Sequence, residues 1–160
     1  MMSAIRFEDA ADVLGHVGQE VCVTDWMTIG QPRIDLFAQA TGDFQWIHVD
    51  VERASKASPY GGTIAHGFLT LSLLGKFYED YLSYALPFCD IGVNYGLNKV
   101  RFTNPVRAES RVRGRFVLSR LDKVDGGLQP TFMVTVEIEG QHKPALVAES
   151  VVRRYFKRAS

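Results

Sequence analysis

Net charge is the first thing this chain lacks: 18 Lys and Arg balance 18 Asp and Glu over 160 residues. Binding to DNA or RNA draws on an excess of basic residues that neutralise phosphates, so nucleic acid is not expected as a partner. Cysteine is scarce as well. Cys22 and Cys89 stand alone and far apart, with neither metal-ligand nor redox spacing, which excludes a disulfide framework and fits two buried thiols in a reducing compartment. No apolar run approaches a membrane span, and the first residues lack a basic-then-apolar secretory pattern. The expectation is a cytoplasmic protein with no membrane partner. Repeats, low-complexity stretches and linkers are missing too, so residues 1–160 read as a single domain.

What is present is enough apolar residue for a real core, 46 % of the chain. The first dozen residues read as a short amphipathic turn or helix, and Val21 to Trp26 as a short strand. Thr28 and Gln31 have capping-box spacing, Pro32 fits a first helical turn, and Ile34, Phe37, Ala38 and Thr41 recur at helical spacing up to Gly42. Asp43 to Asp50 reads as a loop, Val51 to Ala57 as a short helix, and Ser58-Pro59-Tyr60-Gly61-Gly62 as a turn. From about Ala65 to Tyr84 runs the longest helical signal, apolar over much of its circumference, which marks a helix wrapped by other elements. Beyond Pro87 the pattern turns to strands at Leu97–Phe102, Ser110–Leu121, Leu128–Glu139 and Ala145–Phe156, with a hairpin signal at Val124-Asp125-Gly126-Gly127. An antiparallel sheet curled around one long helix is the economical arrangement, an α+β architecture of which the hot-dog fold is the best-known example. Two copies joined edge to edge would cover that helix better, so a homodimer is expected.

Two stretches carry candidate chemistry. In the first, Asp43 and His48 are five residues apart. A regular helix would rotate them by roughly 140°, but a loop after Gly42 would let a carboxyl and an imidazole meet and divide acid and base roles. Phe44, Trp46 and Ile47 would dry such a site. Spacing alone favours a plainer pairing, an Asp that caps the next turn and a His in a surface pocket. The second stretch, Gly62-Thr63-Ile64-Ala65-His66-Gly67-Phe68-Leu69, opens the long helix. Its free N–H groups and the absence of a side chain at Gly67 suit an oxygen that gathers negative charge. The alternative there is that Gly67 only permits close packing. His66 reads more readily as a hydrogen-bonded structural histidine than as a catalyst. Arg107, Arg111, Arg113 and Arg115, with Arg153, Arg154, Lys157 and Arg158, are either solvated charge or a landing site for coenzyme A phosphates.

Taken together, Thr41-Gly42-Asp43, Ile47-His48-Val49-Asp50 and Ile64-Ala65-His66-Gly67 resemble the MaoC-like dehydratases, which include the (R)-specific enoyl-CoA hydratases. The likeness continues through Val100-Arg101-Phe102 and Pro105-Val106 to Ala148-Glu149-Ser150-Val151-Val152, nearly the whole chain. Gln45-Trp46 stands where most members have Asn-Pro. That form, with Asn94-Tyr95-Gly96-Leu97-Asn98-Lys99 later, looks like a nodulation-protein-N-like subgroup.

The resemblance implies a hot-dog fold and reversible hydration of a trans-2-enoyl thioester on coenzyme A or acyl carrier protein. It implies Asp43, His48 and Gly67 as catalytic groups. Phe44, Gln45, Trp46, Ala65, His66, Asn94, Tyr95 and Asn98 are the expected substrate contacts. No metal or redox cofactor is expected, because the conjugated carbonyl is the electron sink. An acyl-CoA thioesterase and a non-catalytic acyl-binding protein are the rival functions, and a metal enzyme using His48 and His66 is a more distant one.

Overall fold

The computed structural model describes residues 3–157. Its centre is helix α5 (Gly67–Ala85), which buries Leu69, Thr70, Leu73, Leu74, Phe77, Tyr78, Tyr81, Leu82 and Ala85. No helix among the described residues is long and apolar enough to cross a membrane. α5 is instead covered by the sheet that the second half of the chain builds: β4 (Cys89–Phe102), β5 (Ser110–Val124), β6 (Gly127–Ile138) and β7 (Leu146–Phe156). Alternation puts Phe132, Val134, Val136 and Ile138 on the inner face of β6, all buried. Phe116 of β5, fully buried, meets Phe77, Tyr78, Tyr81 and Phe132 at ring-centroid distances of 5.4–6.3 Å. Truncating such a ring to Ala typically costs about 3–5 kcal/mol.

The remaining elements close the ends. β1 (Ser3–Ala4) and β2 (Glu20–Val23) continue the sheet, with α1 (Ala10–Gly15) between them, and β3 (Met27–Ile29) also pairs β5. The strand order is β1-β2-β5-β6-β7-β4, antiparallel throughout. α2 (Gln31–Thr41), α3 (Trp46–Val49) and α4 (Val51–Ala57) lie between β3 and α5 in the chain. This is the expected hot-dog arrangement, a long central helix wrapped by an antiparallel sheet.

Four local expectations are corrected. Thr28 and Gln31 form no capping box: Thr28 is paired in β3 opposite Arg111, and Gly30 stands at the N-cap without a side-chain hydrogen bond. The strand expected over Val21 to Trp26 is β2, which ends at Val23, and residues 24–26 lie outside any strand before β3 begins at Met27. The loop from Asp43 to Asp50 contains the single turn of α3. Finally, β4 starts at Cys89 rather than Leu97. It is the last strand of the sheet and is exposed along almost its whole length, so its sequence has no buried face and no alternation to betray it.

Candidate active site

α2 ends where Gly42 takes a left-handed conformation (φ 77°) and returns its N–H to the carbonyl of Ala38. That reversal releases Asp43 into the connection to α3, where its carboxylate accepts from the Gln45 N–H at 3.3 Å. The turn of α3 then drives His48 inward, to 7 % exposure. The Nδ1–H of His48 donates to the Ile64 carbonyl at 2.7 Å. This tautomer follows from the carbonyl, which can only accept, and it leaves the Nε2 lone pair unengaged. Ile64 is itself pinned, its N–H donating to Ile47 at 3.0 Å.

His66 lies beside His48 with the rings stacked, centroids 3.8 Å apart and 26° between planes. Its Nε2–H donates to the backbone carbonyl of Asp43 at 3.0 Å, and Phe37 closes over it at 5.1 Å. His66 therefore ties the Asp43 loop to the start of α5. The Asp43 carboxylate and the two imidazoles bring their ligating atoms within 4.8 Å of one another. Spacing in the chain did not suggest that cluster as a metal site, and among the described residues it is the set that could hold an ion. Stacking aims the two rings side by side, so a shared ion would require them to splay.

Burial is the main force holding the His48 pKa below its ordinary value. The Ile64 hydrogen bond opposes it, the neighbouring His66 adds to it, and the Asp43 charge opposes it. The imidazole is thus kept neutral, with its base lone pair available, around neutral pH.

A cavity of about 250 Å³ opens beside His48, walled by Ile64, Ala65, Gly67, Phe102 and Val106. Gly67 begins α5, which has no side-chain N-cap, so its first amides face the cavity end of the helix unclaimed by a capping group. A Cβ at position 67 would press on the Phe102 ring at 3.1 Å. Phe102 and Gln31 are contributors that the sequence pattern did not single out. Gln31 donates from Nε2 to the His48 carbonyl at 2.7 Å and to Asp35 at 2.8 Å, while its Oε1 accepts from Thr63 at 2.6 Å. Its place at a helix start had made it look like half of a capping box.

Other expected contacts fall elsewhere. Phe44 is 59 % exposed and Asp43 and Gln45 are exposed too, so the chain by itself does not dry the carboxyl as expected. Trp46 is covered by the Arg53 guanidinium, 4.2 Å from its ring. Asn94 and Tyr95 line a second cavity of about 260 Å³, between α5 and β4. Asn98 is bonded to Glu149 at 2.6 Å. Arg111, Arg113 and Arg115 pair with Glu139, Glu137 and Glu20, as solvated charge. Arg107 donates to the Gly61 carbonyl, and Arg158 lies outside the described residues.

Residues 12–141 match the family model described as a MaoC like domain. The 3-hydroxyacyl-thioester dehydratase Z of Mycobacterium tuberculosis is 50 % identical over 148 residues, 92 % of this chain and 96 % of that protein. Nodulation protein N of Rhizobium leguminosarum bv. viciae is 52 % identical over 139 residues, 86 % of each chain. Among solved structures, a monoamine oxidase regulatory protein from Archaeoglobus fulgius superposes with a TM-score of 0.73 at 27 % identity, covering 96 % of this chain and 97 % of that one.

Proposed function

The chain belongs to the MaoC-like dehydratase family, and from that membership we propose that it adds water reversibly across a trans-2-enoyl thioester to give the (R)-3-hydroxyacyl thioester. It is a hydro-lyase in kind. The observation that carries the residue assignment is His48: its Nδ1 is held by the Ile64 carbonyl, which leaves Nε2 free, and its ring clusters with the Asp43 carboxylate and His66. His48 takes a proton from the water whose oxygen bonds to C3. Asp43 passes that same proton on to C2, so both side chains end as they began, and one water shared by both groups gives syn addition. The charge that builds on the thioester oxygen is met by the Gly67 N–H at the start of α5. The conjugated carbonyl absorbs the electron pair, so the reading needs no metal or redox cofactor.

Coenzyme A or acyl carrier protein is the carrier in this reading, and the site of action is cytoplasmic. The unlinked, buried Cys22 and Cys89 fit a reducing compartment. A homodimer joined through the exposed edge of β4 completes it.

Loss of enoyl-thioester ultraviolet absorbance with crotonyl-CoA, run beside a thiol-release assay, tests the proposal. Absorbance loss without thiol release, reduced at least ~100-fold in Asp43→Asn and in His48→Ala, is the expected result. Free thiol from saturated acyl-CoA would make the protein a thioesterase. Binding with no turnover at several chain lengths would make it a carrier of acyl thioesters.

A further inference from the structure

The second cavity, between α5 and β4, adjoins the first at an edge-to-face ring pair. Phe102 walls the His48 cavity, Phe68 walls the other, and their centroids are 5.7 Å apart. From there an apolar groove follows α5 past Leu71, Leu74 and Leu97. It shares Gly75, Tyr78 and Asn94 with a smaller space of about 110 Å³, whose wall includes Arg154. An apolar groove beside the site of thioester chemistry, parted from it by the Phe68–Phe102 ring pair, suits an acyl chain; its far end does not.

Arg154 is only 6 % exposed, has no ion-pair or hydrogen-bond partner among the described residues, and has a buried Nε with no acceptor there. The fold makes room for it. Gly92 is its partner across the β4–β7 ladder, and a Cβ there would overlap the guanidinium Nη1. Tyr78 is also 6 % exposed, and its hydroxyl faces Ser150 without completing a hydrogen bond. A buried guanidinium without an acceptor is costly, and it offers forked donors matched to a carboxylate. The acid on this wall, Glu79, is exposed and does not pair with it.

We propose that the acyl substrate carries a carboxylate at its distal end, received by Arg154 with the Tyr78 hydroxyl as a second donor. The inference rests on the enoyl-thioester reading above and names the substrate class of that same site. Gly67 and Gly75 are eight residues apart on α5, about 12 Å at 1.5 Å per residue. An extended chain advances ~1.2 Å per bond, one third of a residue's reach, so the carboxylate lies roughly ten bonds from the thioester carbon.

The test compares trans-2-dodecenoyl-CoA with its 12-carboxylate counterpart, trans-2-dodecenedioyl-CoA, in hydration and, with the saturated analogues, in calorimetric binding. The full chain should favour the dicarboxylic substrate at least ~10-fold in kcat/KM, mainly through KM. Arg154→Gln should abolish the preference, Arg154→Lys should restore part of it, and Tyr78→Phe, which removes only a hydroxyl, should weaken it. Equal kcat/KM for the two substrates overturns the proposal. So does an Arg154→Gln protein that loses its dimer on size exclusion and keeps the preference, for then the guanidinium serves a partner subunit. Tighter binding of the dicarboxylic analogue with no hydration of either substrate would uphold the site and remove the hydratase reading instead.

Discussion

His48 and Ile64 are joined by a 2.7 Å hydrogen bond from imidazole Nδ1 to a backbone carbonyl, and that bond decides which nitrogen can act as a base. A backbone carbonyl cannot donate, so the proton stays on Nδ1 and Nε2 stays open. A first consequence is the pH profile. Burial holds the His48 pKa below the ordinary 6.5, so the base form persists into mildly acidic solution. The acidic limb of kcat/KM should therefore lie below pH 6.5, with the rate flat from there to pH 8. A limb centred above 6.5 would show that another group, or a solvated His48, is the base.

The same depression has a stability consequence of definite sign. Below pH 6.5 the unfolded chain takes up a proton that the folded His48 refuses, so unfolding gains protons and stability falls as pH drops towards the folded value. His48→Gln should remove this contribution. Between pH 7 and 5 the parent's denaturant midpoint should fall more steeply than the variant's, whatever their offset at neutrality. A constant offset would place the slope on other groups.

Much of this was legible in the sequence, and the gaps have physical causes. The apolar stripe from Leu69 to Leu82 announced a wrapped helix because burial on nearly all sides leaves a pattern that solvent-facing helices lack. Gly42 announced the break that frees Asp43, since its φ of 77° suits glycine. Gln31 misled, because a side chain that reaches across to Thr63 and His48 looks locally like any helix-start glutamine. Long-range hydrogen bonds have no period. The first half of β4 was missed for a related reason: an edge strand exposed on both faces carries no alternation. Stacking of His48 on His66 was equally invisible, because seventeen residues of loop and short helix separate them.

Gln31 is expected to act as a positioning residue. Its amide holds the His48 carbonyl, and its oxygen holds Thr63 one residue before Ile64. Gln31→Ala strands the buried Thr63 hydroxyl and loosens α3, which should cost about 1–3 kcal/mol in stability. Gln31→Glu keeps an acceptor for Thr63 but cannot donate to the His48 carbonyl. Its kcat should fall as far as that of the Ala variant, while KM for crotonyl-CoA moves little. A Glu variant with normal kcat would reduce Gln31 to a structural prop.

Gly67 offers a test in which stability and activity part company. A Cβ there would meet the Phe102 ring at 3.1 Å, but that ring is 47 % exposed and free to swing. Alanine is also the better helix former, by about 0.5–1 kcal/mol. Gly67→Ala should thus melt no lower than the parent. Its kcat/KM should still fall at least ~10-fold, because the methyl and the displaced ring crowd the amide that receives the thioester oxygen. Adding Phe102→Leu should recover part of that loss. An unchanged rate in Gly67→Ala would mean that the glycine serves packing alone.

The exposed strand β4 supplies the last expectation. Paired on one side only, with β7, it leaves fourteen residues of backbone edge facing solvent, flanked by the exposed Ile91, Val93, Tyr95 and Leu97. Isolated edges of that length invite pairing unless they are blunted by charge, proline or a bulge. β4 has register irregularities against β7 but no proline. Pairing of two β4 strands about a twofold axis would satisfy the free backbone groups and cover the apolar flank. Light scattering should then return twice the 17.9 kDa chain mass. Val93→Pro, which removes one strand N–H and bends the strand, should shift the protein to monomer and lower its melting temperature. A monomeric parent would leave the edge to be covered by some other means.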